Sequence, residues 1–248
     1  MTKSNYSSVL TCGIDMKEYA CLFTYEALSD STCAVTGYVG SETASLLIPE
    51  TAPDGRSVVA IGDRAFMNCG YLRAVTLPDS LESVGVRSFA FCTSLLDIRV
   101  SAESRLCSIG NRAFMGCERL TVLRFGALRH LSALGRNAFA HCTRLRNVML
   151  PAGISELPPS LFEGCTALEY IRLPEGLTTL RAGVFSACSS LRAVNLPSTV
   201  VAIEDCAFAW CAALTDLALP DSTCMIAASA FMDCVQLGDI LKVSRATA

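Results

Sequence analysis

Histidine is almost absent from this chain: His130 and His141 are the only two in 248 residues. No two cysteines stand three apart, so there is no Cys-x-x-Cys pair, and Cys206 and Cys211, with four residues between them, are a poor substitute. These scarcities argue against a structural zinc site, which needs four such ligands at short spacing. Phosphate loops of the Gly-x-x-x-x-Gly-Lys kind, His-Glu-x-x-His and Gly-x-Ser-x-Gly are also missing, and with them the motifs of nucleotide hydrolysis, metalloproteolysis and serine hydrolysis. Charge is sparse: 17% of residues are charged and the net charge is −3. That is not the basic footprint of a nucleic-acid binder. Long apolar runs are lacking although 52% of the residues are hydrophobic. Charge or proline breaks each stretch, as in LRAVTLPDSLESVGVRS, well short of the roughly 18 to 20 residues of a spanning helix. The first twenty residues, MTKSNYSSVLTCGIDMKEYA, have no basic start followed by an apolar block, so no secretory leader is read there. The compartment stays open: cytoplasmic if Met1 is native, cell surface or secreted if a leader was removed. A lone glycosylation sequon, Asn5-Tyr6-Ser7, adds little.

What the chain has in abundance is one phrase repeated. Phenylalanine stands at Phe66, Phe89, Phe114, Phe139, Phe162, Phe185, Phe208 and Phe231, with steps of 23 or 25 residues. Three places after each comes cysteine, from Cys69 to Cys234, and six places after each comes leucine, from Leu72 to Leu237. Nine places after it the residue is Val75, Ile98, Leu123, Val148, Ile171, Val194, Leu217 or Ile240, and five before it stands another aliphatic, from Ile61 to Ile226. A fixed period in this range signals a solenoid in which each unit buries its apolar face against its neighbours. The Leu-x-x-Val-x-Leu run alternates with period two and predicts a short parallel strand. Pro78, Pro151, Pro174, Pro197 and Pro220 follow that strand, where a missing N–H costs no ladder bond. The Ala-Phe-x-x-Cys portion has room for one or two helical turns at most, and stacked phenylalanines about 5 Å apart can lie offset.

Fourteen cysteines suggest a disulfide framework, but eight share one structural slot. Stacked at a strand spacing of about 4.8 Å and pointing the same way, they suit a disulfide only under strain. They read as small buried hydrophobes. Cys12, Cys21, Cys33, Cys107, Cys206 and Cys224 lie outside the ladder and show no pairing logic. His141-Cys142 places a base beside a thiol, yet sequence neighbours should diverge, Cys142 inward and His141 outward.

The pattern Ala-Phe-x-x-Cys-x-x-Leu-x-x-Ile/Val-x-Leu-Pro, clearest in IGDRAFMNCGYLRAVTLP from Ile61 to Pro78, resembles that of the BspA-like leucine-rich repeat family over most of the chain. The resemblance implies a curved parallel solenoid used for protein or surface recognition, and it implies no catalytic residues.

The expected architecture is therefore a right-handed leucine-rich repeat solenoid of parallel β rungs with short helical or 3-10 turns and an N-terminal β-hairpin cap. Residues 1–18 read as a tail. Residues 19–57 read as the cap: a hairpin of Leu22 to Leu28 and Cys33 to Tyr38, followed by SLLIPE as rung zero and the turn-forming TAPDGRS. Residues 58–241 hold about eight repeats of 23 to 25 residues, and residues 242–248 a C-terminal tail. A solenoid must cover its open rungs. Lys242 and Arg245 either guard the last edge or precede further chain, and self-association through that edge is open. Two units carry insertions without the proline, SAESRLC between Val100 and Ser108 and GALRHLSA between Phe125 and Leu134.

No cofactor is expected, and the outward strand positions are the candidate site. Arg99, Arg124, Arg146, Asn147, Met149, Tyr170, Arg172 and Arg192 fall on the middle of the sheet face. Arginine with tyrosine is the usual make-up of binding hot spots, whereas Asp97 and Glu169 could balance a merely solvated face. The function expected is non-catalytic recognition of an acidic protein segment or a polyanionic glycan on this face. The alternatives are a cell-surface adhesin binding host matrix protein or glycan, a thiol enzyme using Cys142 or Cys107, and a scaffold that spaces other domains.

Overall fold

The rings of the eight repeat phenylalanines stack in a single file from Phe66 to Phe231. Neighbouring centroids lie 5.0 to 5.9 Å apart and neighbouring planes 0 to 22° from parallel. The computed structural model describes residues 15–219 and 224–237, so Cys12, the Asn5 sequon, Pro220, Ile240, the residue 242–248 tail with Lys242 and Arg245, and any contact through that tail lie outside the described residues. Around the ring file the chain forms a parallel β-solenoid of about eight turns, as the repeat period predicts. From Phe89 to Phe208 the rings, the ladder cysteines and the leucines six places beyond each ring are all completely buried, at 0% exposure.

Each turn holds two short strands. The first is the expected one: β5 (Ala74–Thr76), β7 (Asp97–Arg99), β9 (Val122–Arg124), β11 (Asn147–Met149), β13 (Tyr170–Arg172), β15 (Ala193–Asn195) and β17 (Asp216–Ala218). Their central residues point inward and pair in register, Val148 with both Leu123 and Ile171. The second strand was not legible, because it is only two residues long through most of the chain. β6 (Ser83–Val84), β8 (Ser108–Ile109), β10 (Ala133–Leu134), β12 (Glu156–Leu157), β14 (Thr179–Leu180), β16 (Ala202–Ile203) and β18 (Met225–Ile226) each carry the aliphatic that stands five places before a phenylalanine.

The bend holding the ring is a third inter-turn seam and not a helix. N–H groups two before, at and two after the phenylalanine donate to the next turn: those of Arg64, Phe66 and Asn68 reach the carbonyls of Val86, Ser88 and Ala90 at 2.9, 2.7 and 2.8 Å. Residues between them close turns within their own unit, with Met67 N–H on Arg64 O at 3.1 Å and Cys69 N–H on Phe66 O at 3.3 Å. Left-handed residues on both sides of the ring create this alternation, with φ of 54° at Arg87, 61° at Phe91 and 59° at Trp210. Each such non-glycine residue costs about 1 to 2 kcal/mol, offset by the flanking inter-turn hydrogen bonds. They also explain why the expected short turns stay as isolated i to i+3 hydrogen-bonded turns and do not run on into a helix.

The cap follows from its sequence with one addition. β1 (Phe23–Ala27) and β2 (Thr32–Tyr38) pair antiparallel, and β2 then pairs parallel with β4 (Ser57–Ile61), opening the second ladder. Rung zero is β3 (Ser45–Leu47), in register with β5. The addition is α1 (Met16–Ala20), which begins inside the segment read as tail. It is tied down because Leu47 N–H donates to Tyr19 Oη at 3.2 Å and Tyr25 Oη donates to Ala20 O at 2.8 Å.

Both ladders are interrupted beside the insertions. The first breaks between β7 and β9, across SAESRLC, and the second between β10 and β12, after GALRHLSA. Neither insertion is a simple projection: Leu106, Phe125, Leu128 and Leu131 are buried, and Phe125 packs tilted against Phe139 at 6.0 Å. Proline removes one of the bonds that could bridge the second break. Gly85, Gly110, Arg181 and Glu204 each donate an N–H to the preceding turn at 2.7 to 3.0 Å, and Pro158, at the same position, has none to give.

Two stability predictions follow from the core. Phe139→Ala and Phe162→Ala should each cost about 3 to 5 kcal/mol, and a melt within about 1 kcal/mol of the parent would contradict burial of the file. Ser88 stands directly before its ring, where Ala65, Ala113, Ala138, Ala207 and Ala230 stand in other turns, and its buried hydroxyl has no partner. Ser88→Ala should therefore raise the unfolding free energy by about 1 kcal/mol, measured by denaturant titration.

Candidate functional site

The five-stranded sheet β9-β11-β13-β15-β17 displays the candidate residues on its outer surface because strand residues alternate between faces. Register lines them into two files. One runs Arg124, Met149, Arg172, Asn195 and the other Val122, Asn147, Tyr170, Ala193. Met149 is 59% exposed and Tyr170 56%, large values for apolar side chains flanked by strands. Arg146 and Arg192 stand one residue ahead of their strands and are exposed.

Arg99 does not join this group. It lies on β7 in the separate three-stranded sheet β3-β5-β7, and its Nε sits 2.9 Å from Asp97 Oδ2. Arg146 is balanced as well, with Glu169 at 3.9 Å. Arg124, Arg172 and Arg192 make no ion pair among the described residues. The sheet thus gathers Arg124, Asn147, Met149, Tyr170 and Arg172, with Arg192 at its margin.

The cysteines do more than fill space. From Cys92 on, each ladder thiol donates to the phenylalanine carbonyl of the preceding turn: Cys92 to Phe66 at 3.1 Å, Cys117 to Phe89 at 3.3 Å, and so on to Cys234 on Phe208 at 3.0 Å. No disulfide forms among the described cysteines. The only sequence signal for this role was the invariance of cysteine where alanine or valine would fill the same space. Burial pushes the thiols of Cys92, Cys142 and Cys188 up to about 12, so they are neutral near neutral pH and unsuited to act as nucleophiles. His141 is exposed while Cys142 is buried, so the adjacent pair diverges. Cys107 is exposed and its Sγ contacts Arg105 O at 3.0 Å.

Among the described residues no group of three or more His, Cys, Asp or Glu side chains is placed to hold a metal, and no helix is long and apolar enough to cross a membrane. One cavity lies away from the sheet face. It opens in the cap between α1 and the loop after β3, lined by Met16, Ala20, Leu47, Ile48 and Pro53.

A family profile described as the BspA type leucine-rich repeat region matches six copies, over residues 59–192 and 107–238. Among solved structures, the T. pallidum leucine-rich repeat protein is similar at 28% identity and a TM-score of 0.72, with 92% of this chain and 94% of that one covered. A leucine-rich repeat protein from Bacteroides ovatus is similar at 24% identity and a TM-score of 0.59, covering 87% of this chain and 68% of that one. The pneumococcal vaccine antigen PcpA shares the fold at 18% identity and a TM-score of 0.51, covering 87% and 78%. No curated protein matches the chain.

The thiol ladder predicts a specific alkaline weakness. A group whose folded pKa is raised contributes stability in full below its unfolded pKa and loses that contribution as pH rises through the folded value. For Cys92, Cys142 and Cys188 the window runs from the ordinary 9.0 to about 12. The melting temperature should fall progressively across it, and a flat profile there would show that the thiols are not buried as protonated donors.

Proposed function

The chain belongs to the BspA-type leucine-rich repeat family, and from that premise we propose that it is a non-catalytic recognition module binding its partner on the face of the five-stranded sheet. The observation that carries this reading is the file Arg124, Met149, Arg172 beside Tyr170: two cations without ion pairs among the described residues, around exposed apolar side chains. Tyrosine gives a large contact area at little entropic cost and arginine a planar fork of five donors, and both are enriched in binding hot spots. Like charges two strands apart, at roughly 9.5 Å, favour a partner with acidic groups on either side of an apolar contact. An acidic protein segment or a polyanionic glycan has that chemistry.

Catalysis receives no support from the same chemistry. The thiols of Cys92, Cys142 and Cys188 are buried and neutral near neutral pH, and His141 is exposed where Cys142 is buried.

Polyglutamate and heparin are suitable probes. Arg124→Glu combined with Arg172→Glu should weaken binding of whichever probe the parent captures by at least about tenfold, or 1.4 kcal/mol, and parent binding should decline with added salt. Titrations in which the double variant binds either probe as tightly as the parent would sink the assignment of this face.

A further inference from the structure

A second row of cations is built into the bends, away from the sheet face. Arg64, Arg87 and Arg112 occupy one position, two residues before the ring, in three consecutive turns, and Arg136 stands one residue earlier in the fourth. Backbone bonding fixes their spacing: the N–H groups of Arg64, Arg87 and Arg112 donate to the carbonyls of Val86, Asn111 and Arg136, each at 2.9 Å. All three are left-handed, with φ of 57, 54 and 57°. Arg64 and Arg136 are exposed, and Arg87 and Arg112 are half-buried. None of the four makes an ion pair among the described residues. Asp63 is the neighbouring acid, and one of its carboxylate oxygens is occupied by Val86 N–H at 2.7 Å. Later turns carry Ser160, Gly183 and Cys206 at the arginine position, so the row ends after four turns. Two residues beyond the ring of the second turn Phe91 is 40% exposed, and Met67 and Met115, each one residue beyond its ring, are half-buried.

We propose that this row is a second interaction surface, for an α-helix of a partner protein that carries one carboxylate per turn. The rise per turn, together with the charge, favours that ligand. The rings of these four turns are separated by 5.0, 5.2 and 5.5 Å, and an α-helix repeats every 5.4 Å or so. An extended strand presents same-face side chains about 6.7 Å apart and is out of step within two turns. Cations stacked one above another repel, and a matching file of carboxylates relieves that repulsion along its whole length. Phe91 and the two methionines give the apolar side of an amphipathic helix something to rest on. The surface stands independently of the sheet-face reading, which uses other residues.

The test is a titration of the full chain with a designed helical peptide bearing glutamates at i, i+4, i+7 and i+11. The variant R64N/R87N/R112N removes the charge while keeping a residue that tolerates the left-handed backbone, and R64K/R87K/R112K retains the charge. The peptide should bind the parent and the lysine variant, bind R64N/R87N/R112N at least about tenfold more weakly, and be indifferent to R124E/R172E. A peptide of identical composition with glutamates scattered around the helix should bind no better than the asparagine variant allows. The inference is overturned if the asparagine variant binds as the parent does, if the scattered peptide matches the striped one, if a lysine-striped peptide binds the parent equally well, or if polygalacturonate binds more tightly than the helix.

Discussion

One carbonyl oxygen per turn, that of the phenylalanine, holds successive turns at a common height. It accepts the N–H of the cysteine three residues on and also the thiol of the cysteine in the following turn, as Phe66 O does from Cys69 N–H and Cys92 Sγ. Cysteine suits the position because it is small and apolar enough for a dry column yet keeps a weak donor. Alanine would leave the carbonyl with one bond fewer. Serine would bring a more polar group into the same space. This bond adds to the strand ladders and bend N–H bonds that set the rise, so the rings follow at a common height and every position of the repeat is copied directly above itself. A solenoid therefore turns any residue type that recurs at one position into a file on the surface, which is how both the Arg124, Met149, Arg172 line and the Arg64, Arg87, Arg112 line arise.

Much of this was legible in the sequence, and the part that was not has a physical reason. Ring, thiol and leucine positions are marked by invariance at a fixed period, so the column and the first strand follow from residue identity alone. The hairpin was visible from alternation around Ser29 to Thr32, and rung zero from Ile48-Pro49. The second strand escaped because two residues cannot display a period of two. The bend escaped for a different reason: left-handed conformations are usually flagged by glycine, and here Arg87, Phe91, Ala187 and Trp210 adopt them under the control of inter-turn hydrogen bonds. Strand alternation put the candidate residues on the outward face, where the structure has them, but could not show that Arg99 lies across a break in the sheet. Nor could it see that Asp97 and Glu169 balance Arg99 and Arg146 while sparing Arg124 and Arg172.

The same edge of the solenoid is finished in two chemistries, and the change falls at one residue. In turns one to four the position four before the ring is Gly62, Gly85, Gly110 and Gly135, and backbones touch there: a Cβ on Gly85 would lie 2.7 Å from Gly62 C, and one on Gly110 2.8 Å from Gly85 C. Close approach leaves no side chain at that position to shade Arg64, Arg87 and Arg112 two residues further on, or Arg136 beside Gly135, and all four are at least partly open to solvent. At turn five Pro158 takes the glycine's place, the inter-turn bond is lost and the ladder stops. Beyond it the position is filled by Arg181 and Glu204, and Arg181 joins Glu156 and Glu204 at 2.9 and 2.8 Å in a strip that neutralises itself. The bare glycine file and the uncompensated arginine row thus occupy the same four turns. An edge that is smooth, cationic and short in the first half, and internally paired in the second, has room for a partner in only one of its halves.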